Sequence, residues 1–221
     1  MSTMLEMTGL MLCVGGWLLT GIALANDYWK VSSHSGNVII SNRQYENLWH
    51  SCAENSAGIS TCRDFESMLA LPAFMQACRA LMITPLLLGL PATIASTLGV
   101  KCIQTSRTSD QDKDKIALTG GCLFILAGVS TLTAVSWYAH QVVQEFYNPF
   151  FGSKRFELGP GLYMGWGAAF LSIVGGVFLC CAGKRAVSGK PRSGFYSAAG
   201  QGQKIYRAAA TSEAGTSKGY V

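Results

Sequence analysis

The sequence is poor in charged residues. Asp, Glu, Lys and Arg make up only 13% of the 221 residues, whereas about a quarter is usual in soluble globular proteins. Hydrophobic residues make up 49% and the mean hydropathy is +0.28, which argues against a disordered chain. The composition therefore excludes an ordinary cytosolic domain and favours an integral membrane protein.

Motifs typical of catalytic, metal-binding or nucleic-acid-binding sites are also scarce. No Cys-x-x-Cys pair occurs, and the three histidines, His34, His50 and His140, are scattered, so a zinc site has no support. The sequence shows no phosphate-binding loop, no nucleophile–base pair and no carboxylate pair in a plausible cleft, so we expect neither an enzyme nor a cofactor. Aromatic residues are not interleaved with the basic ones, which argues against nucleic-acid binding.

Four segments contain no Asp, Glu, Lys, Arg or His and are long enough to cross a bilayer, which needs about 20 apolar residues as helix. They are residues 7–25, 80–100, 116–139 and 161–183. Glycine and alanine are frequent in the first, third and fourth of them, and such small residues let helices approach closely in lipid. We expect a compact left-handed bundle of four helices. Pro85 and Pro91 should bend the second helix.

The first apolar run could instead be a signal peptide, because Ala23-Leu24-Ala25 resembles a cleavage site. Against this, no Lys or Arg precedes the run, and its nineteen residues exceed the usual apolar region of a signal peptide. We interpret it as a membrane span.

The distribution of basic residues predicts the orientation. Residues 101–115 and 184–221 together hold eleven Lys and Arg, whereas 26–77 and 140–160 hold five. Because cytoplasmic segments carry the excess of Lys and Arg, both termini should lie in the cytoplasm of a multi-pass plasma-membrane protein. The membrane domain is then 1–183, with extracellular segments 26–79 and 140–160.

Residues 184–221 are rich in Ser, Gly and Ala and should form a disordered cytoplasmic tail. The tail ends in Tyr220-Val221, an apolar residue with a free carboxylate. Domains that add a strand and capture a carboxylate bind such ends, so this end is a candidate PDZ-binding site. The alternative is a simple solvated terminus.

The first extracellular segment reads as short β-strands at 28–32, 38–40, 45–52 and 59–62. A turn at 55–58 would bring Cys52 opposite Cys62, and outside the cell this pair should be oxidised. The disulfide would close a short loop and contribute about 2–3 kcal/mol.

Three other cysteines, Cys102, Cys180 and Cys181, lie at the cytoplasmic edge of the membrane beside basic residues. They are candidates for S-palmitoylation, with inert thiols as the alternative.

Several motifs together resemble the claudin family. In the first extracellular segment they are Trp29, Asn47-Leu48-Trp49, Cys52 and Cys62. Further matches are Ser67 to Leu71, Gln76 to Ala80, Phe146 to Pro149, Phe156 to Gly159 and the terminal Tyr220-Val221. Within the family the chain is most similar to the branch of claudins fifteen and ten.

The resemblance implies a tight-junction protein with an α+β membrane fold. A left-handed four-helix bundle would carry an extracellular antiparallel sheet, with four strands from the first outer segment and one from the second. Claudins polymerise with themselves and with other claudins, within one membrane and across to the adjoining cell. Their strands either seal the space between cells or line ion pores through it.

The resemblance also implies roles for particular residues. Met68 would insert against Phe146 and Tyr147 of a neighbouring molecule. Leu48 and Trp49 would anchor the sheet to the outer leaflet, and Trp29 is a further signature and anchoring residue. The contact with the adjoining cell would be made by Asn148, Pro149, Phe150, Phe151, Lys154 and Arg155.

Two further roles concern the second membrane span and the end of the tail. Arg79 would pair near the mouth of the bundle. Tyr220 and Val221 would bind PDZ scaffold proteins of the tight junction, and membrane lipids complete the expected partners.

Acidic residues exceed basic ones in the first extracellular segment. The acids are Asp27, Glu46, Glu54, Asp64 and Glu66, and the bases before Arg79 are Lys30, Arg43 and Arg63. In the branch that this chain resembles, acids flanking the disulfide face a paracellular pore and select cations. Asp64 and Glu46 occupy matching places, but Asn55 stands where an acid is expected. The adjacent Glu54 is the candidate substitute, although alternation would turn residues 54 and 55 to opposite faces.

The four spans contain no Asp, Glu, Lys, Arg or His, whereas transcellular carriers and pumps need such groups inside the membrane. Any conduction should therefore run through the extracellular parts. We predict a paracellular channel that prefers cations, with inorganic cations as permeants. A sealing claudin and an anion-preferring channel are the alternatives.

Overall fold

The computed structural model describes residues 2–32, 42–65, 71–99, 110–147 and 156–188. The chain divides into two units, Met1–Val187 and Ser188–Val221, and the fold below is that of the first. In chain order its elements are α1 Ser2–Ala25, β1 Lys30–Ser32, β2 Asn42–Glu46, β3 His50–Asn55, β4 Ser60–Asp64, α2 Ala73–Gly99, α3 Asp110–Tyr147, β5 Phe156–Leu158 and α4 Pro160–Ser188.

Four of the described helices are long and apolar enough to cross a membrane, which confirms the four predicted spans. Their spanning parts are Met4–Ala25, Ala73–Gly99, Lys113–Tyr147 and Pro160–Lys184. The helices exceed the charge-free runs because a helix can continue with polar residues once it leaves the lipid. The 38 residues of α3 are about 57 Å long, nearly twice the ~30 Å hydrocarbon core. One end of α3 therefore extends beyond the membrane beside the sheet.

Small residues lie where helices approach each other closely, as predicted. A Cβ atom at Gly175 would lie 2.8 Å from the carbonyl oxygen of Gly9 on α1. At Gly176 it would lie 2.7 Å from the carbonyl oxygen of Gly121 on α3. Glycines on α4 therefore let it pack closely against both α1 and α3.

Both prolines lie inside α2, which continues past them. Pro85 has no N–H for the carbonyl of Leu81, four residues earlier. Ser130 of α3 satisfies that carbonyl instead, because its Oγ donates a hydrogen bond to it at 2.8 Å. Near the second proline, Pro91, the Trp17 Nε1–H donates to the carbonyl of Leu86 at 3.2 Å. Neighbouring helices thus bond to carbonyls of α2 close to its two prolines.

The five described strands form one antiparallel sheet in the order β4-β3-β2-β1-β5. Four strands come from the first outer segment and one from the second, as the resemblance implies. The predicted strand at 28–32 is shorter, and the one at 59–62 lies at 60–64. The prediction at 38–40 falls outside the described residues.

The prediction of a single strand over 45–52 is wrong. The chain folds back within this stretch, so that Tyr45 pairs with Cys52 in the register of β2 and β3. The Asn47 side chain makes the turn, since its Oδ1 accepts hydrogen bonds from the backbone N–H groups of Trp49 at 2.7 Å and His50 at 2.8 Å. Asparagine side chains stabilise such turns by bonding the backbone two residues on.

An apolar core joins the sheet to the helices. Trp29 is fully buried in it, with its ring edge-on to Tyr138 at 5.1 Å. The Trp29 Nε1–H donates to the carbonyl of Ala23 at 2.8 Å, at the end of α1. The backbone N–H of Gly159 donates to the Trp29 carbonyl at 2.8 Å. The sheet is therefore fixed to the bundle from both outer segments.

Candidate functional site

The hairpin of β3 and β4 forms the centre of the site. Gly58 adopts a left-handed φ of 76°, and its N–H donates to the carbonyl of Asn55 at 2.8 Å. This turn places Cys52 opposite Cys62, and the two are joined in a disulfide. The predicted pairing is confirmed.

The register divides the polar side chains of the hairpin between two faces. Directly paired residues and alternate residues along a strand share a face. In register, His50 pairs with Asp64, Cys52 with Cys62 and Glu54 with Ser60. We call the surface formed by these six residues the disulfide face. The opposite surface, which carries Glu46, Ser51 and Arg63, is the groove face.

Glu54 and Asp64 therefore lie on the same face, on either side of the disulfide. Asp64 is 92% exposed, and Glu54 is partly exposed. Asn55, next to Glu54, belongs to the groove face. Arg43 is the cross-strand neighbour of Glu54, and its guanidinium lies over the ring of Tyr28 at 5.8 Å.

Glu46 has a different environment from these two carboxylates. On the groove face its Oε2 lies 2.8 Å from the Nζ of Lys30, which also lies 3.4 Å from an oxygen of Glu145 on α3. Both members of the shorter pair are largely buried, with side chains 12% and 16% exposed. The charge of Glu46 is therefore compensated locally. A cavity of about 710 Å³ adjoins this cluster, and Arg63 contributes to its lining.

A polar cluster surrounds His50 on the disulfide face. The Nε2 of His50 lies 3.0 Å from Oδ1 of Asp27, which also accepts a hydrogen bond from Asn47 Nδ2 at 3.1 Å. The Nδ1 of His50 lies 4.0 Å from Oδ1 of Asp64. The ligand-type atoms of His50, Cys52 and Cys62 lie within 4.8 Å of one another. Because both sulfurs are in the disulfide, they are not thiolate ligands and this group does not make a metal site.

Arg79 connects α2 to the turn between β2 and β3. Its Nε–H donates to the carbonyl of Leu48 at 2.6 Å, and its guanidinium lies 4.9 Å from the ring of Trp49. Leu48 has no exposed surface, so it cannot contact the outer leaflet as the resemblance implied. It anchors the sheet to the helix bundle instead, because the Asn47 turn directs it into the core. Trp49 packs against the same core.

A second cavity lies where α3, β5 and α4 meet. It has a volume of about 360 Å³ and is lined by Val142, Val143, Phe146, Tyr147, Phe156, Glu157, Leu158 and Tyr163. The rings of Phe146 and Tyr147 are edge-to-face at 5.4 Å, and Tyr147 is 78% exposed. This is an open apolar cavity at the place where the resemblance implies a contact with a neighbouring molecule.

The two described palmitoylation candidates differ in exposure. Cys181 is exposed, whereas Cys180 is only partly so and faces α3, with its Sγ 3.8 Å from the Sγ of Cys122. The remaining predicted site residues lie outside the described residues. They are Met68, Asn148, Pro149, Phe150, Phe151, Lys154, Arg155, Cys102, Tyr220 and Val221.

The sequence interpretation missed the cluster of Asp27, Asn47 and His50. It counted Asp27 only as a charge, and it placed Asn47 and His50 within one strand. The turn preference of asparagine at position 47 was the available signal. It also missed Glu145, because nothing in the sequence indicates that α3 extends beside the sheet.

Comparisons with known proteins agree with the geometry. The sequence model of the PMP-22/EMP/MP20/Claudin family matches residues 3–179. Claudin-15 of Mus musculus is 44% identical over 188 residues, which cover 83% of each chain. Claudin-19 of Homo sapiens is 45% identical over 179 residues and 80% of each chain. Claudin-1 of Mus musculus is 39% identical over 189 residues, which cover 85% of this chain and 90% of the relative.

Proposed function

The chain belongs to the PMP-22/EMP/MP20/Claudin family, and from this premise we propose that it forms a paracellular channel that prefers cations. It is a four-span protein of the tight-junction membrane and interacts there with other claudins. The observation that carries the proposal is the placement of Glu54 and Asp64 on one face of the extracellular sheet.

The shared face supports this choice of carboxylates in two ways. Asn55 stands where the related branch has an acid, but Glu54 lies on the disulfide face with Asp64 and supplies a second carboxylate there. Arg63 adjoins Asp64 in sequence, yet alternation turns it to the groove face. The Arg63 and Asp64 side chains therefore point to opposite faces of β4, although both residues line the cavity of about 710 Å³.

The ion pair of Glu46 limits the set of selectivity residues. Because Lys30 lies 2.8 Å from Glu46 on the groove face, this carboxylate stabilises the sheet rather than attracting permeant ions. The proposed lining is thus Glu54 and Asp64, supported by the carboxylate of Asp27 near His50.

The size of the interaction energy between a carboxylate and an ion supports cation selectivity from so few charges. A unit charge about 4 Å from an ion contributes roughly 4 kcal/mol at an effective dielectric constant near 20. A free-energy difference of about 1.4 kcal/mol is sufficient to change the ratio of two ion permeabilities tenfold. In open solvent at physiological ionic strength the field would be screened over about 8 Å, so the selectivity requires a narrow passage between assembled molecules.

The apolar cavity of α3, β5 and α4 supports the polymerisation that such a passage needs. We propose that it receives Met68 of a neighbouring molecule, since its aromatic wall of half-buried Phe146 and exposed Tyr147 suits an unbranched thioether side chain. The contact of 148–155 with the adjoining cell remains a proposal from the resemblance. So do PDZ binding by Tyr220 and Val221 and palmitoylation at Cys102, Cys180 or Cys181.

Neutralising the disulfide face tests the proposed function. The double variant Glu54→Gln, Asp64→Asn should lower the Na⁺ over Cl⁻ permeability ratio of an epithelial monolayer by about threefold or more. The ratio is measured from dilution potentials in cells that express this protein and lack other claudins. The sheet pairings involve backbone atoms, so the variant should still reach the junction.

Arg63→Gln is the matched control, because it also changes one charge on β4 but on the groove face. Its ratio should stay close to that of the wild type. An unchanged ratio in the double variant, with the protein present at junctions, would contradict the charge assignment.

A further inference from the structure

His50 lies between two carboxylates on the disulfide face. Its Nε2 is 3.0 Å from Oδ1 of Asp27, within hydrogen-bond distance, and its Nδ1 is 4.0 Å from Oδ1 of Asp64. The side chain is 25% exposed, so solvent protons reach it. A positive charge on this imidazole ring would lie between two negative charges.

The hydrogen bonds define the neutral form of the ring. Oδ1 of Asp27 accepts from Asn47 Nδ2 at 3.1 Å and has no proton of its own when ionised, so the proton of neutral His50 belongs on Nε2, directed at Asp27. The unprotonated Nδ1 then faces an oxygen of Asp64, which is also an acceptor. A proton taken from solvent at Nδ1 removes this contact between two acceptors.

We propose that His50 is a selectivity-determining residue of this channel and that its protonation lowers the cation preference when the extracellular fluid is acidified. Protonation changes the summed charge of Asp27, His50 and Asp64 from −2 to −1, because two carboxylates are then balanced by one imidazolium. The inference rests on the proposed function, since it concerns the field that Asp64 exerts on permeant ions.

The described groups around His50 come from four parts of the chain. The connection between α1 and β1 supplies Asp27, the turn after β2 supplies the neutral Asn47, and β4 supplies Asp64. On its own strand, Glu54 shares the disulfide face but lies four residues away. The charged groups nearest His50 are carboxylates, whereas the cation Arg43 is paired with Glu54 further along the same face. A positive charge on His50 therefore acts against the carboxylates of Asp27 and Asp64.

The chemistry of the side chains separates this effect from titration of the carboxylates themselves. Carboxyl groups in general titrate near pH 4, whereas histidine is the side chain that ordinarily changes charge between pH 5 and 8. A comparison between about pH 7.5 and about pH 5.5 therefore reports mainly on histidines.

The test measures the Na⁺ over Cl⁻ ratio at these two pH values, in monolayers that express only this protein. For the wild type we expect the ratio to fall about threefold on acidification of the extracellular solution. His50→Gln should abolish the fall. His50→Arg, which carries a permanent positive charge, should give a low ratio at both pH values.

His140→Gln is the matched control, because His140 is an exposed residue of α3 outside the sheet. His34→Gln is the second control, and both variants should keep the wild-type pH response. A ratio that is the same at both pH values in the wild type overturns the inference. A pH response that persists in His50→Gln overturns it as well.

The two proposals can fail separately. A ratio at about pH 7.5 that shows no cation preference overturns the proposed function. If that ratio still shifts towards Cl⁻ on acidification, and His50→Gln abolishes the shift, the role of His50 stands. A clear cation preference without a pH response leaves the proposed function in place and removes the role of His50.

Discussion

At the scale of single residues, Arg79 links two parts of the molecule that the chain keeps apart. Its Nε–H donates to the carbonyl of Leu48 at 2.6 Å, and its guanidinium packs on Trp49. Only 7% of the residue is exposed. A planar guanidinium can make the directional bond and the ring contact at the same time, which an ammonium group cannot.

Arg79→Met should destabilise the protein by about 2 kcal/mol, because the buried carbonyl of Leu48 loses a donor. Arg79→Lys should be intermediate, since it keeps the charge but not the planar group. The measurement is the unfolding free energy of the purified protein in detergent. Arg43→Met is the control, because Arg43 is exposed, and it should cost about 0.5 kcal/mol or less. Equal stabilities of Arg79→Met and Arg43→Met would refute the role of Arg79.

The site could be predicted from the sequence only in part, and the reason is visible at residues 46, 54 and 64. Their acidic character and their nearness to Cys52 and Cys62 are properties of the sequence. Their faces depend on the register of β2, β3 and β4, which long-range pairing determines. The single strand expected over 45–52 would also have hidden the turn at Asn47, which brings Asn47 and His50 together on Asp27.

At the scale of elements, the membrane helices were predicted well because the absence of charge over about 20 residues is a strong signal. The positions where the helices end were not predicted well, because polar residues outside the lipid give no comparable signal. The extension of α3 to Tyr147 matters for the site, because it brings Glu145 to Lys30. Strands of three to six residues in the outer segments carry too little periodic pattern to locate their ends.

Pro85 in α2 gives a test at the scale of elements. Ser130→Ala should lower the stability by about 0.6 kcal/mol, the usual size of an interhelical hydrogen bond in membranes, because the carbonyl of Leu81 then has no donor. In the background of Pro85→Ala the same change should cost less, since the new N–H at position 85 can bond to Leu81 within the helix.

The double-mutant cycle of these two positions, measured by unfolding free energies in detergent, isolates this coupling. Ser136→Ala on α3 is the control in the same backgrounds, because its hydroxyl bonds to Trp166 of α4 rather than to α2. Additive effects of Ser130→Ala and Pro85→Ala would show that Ser130 does not compensate the proline.

At the scale of the whole molecule, the helix bundle positions an extracellular sheet with two distinct faces. On the groove face, Lys30 pairs with Glu46 and Glu145 and fixes the sheet against α3. On the disulfide face, Asp64 is exposed and Glu54 is partly exposed, with His50 beside Asp64. The fold thus separates the charges that stabilise it from those proposed to select ions.

The most direct test of this account is the permeability of the wild-type protein, expressed as the sole claudin in an epithelial monolayer. Dilution potentials give its Na⁺ over Cl⁻ ratio, and the transepithelial resistance is recorded with them. The account predicts a ratio above that of free diffusion together with a lowered resistance. A raised resistance without charge preference, or a ratio that favours Cl⁻, would contradict it.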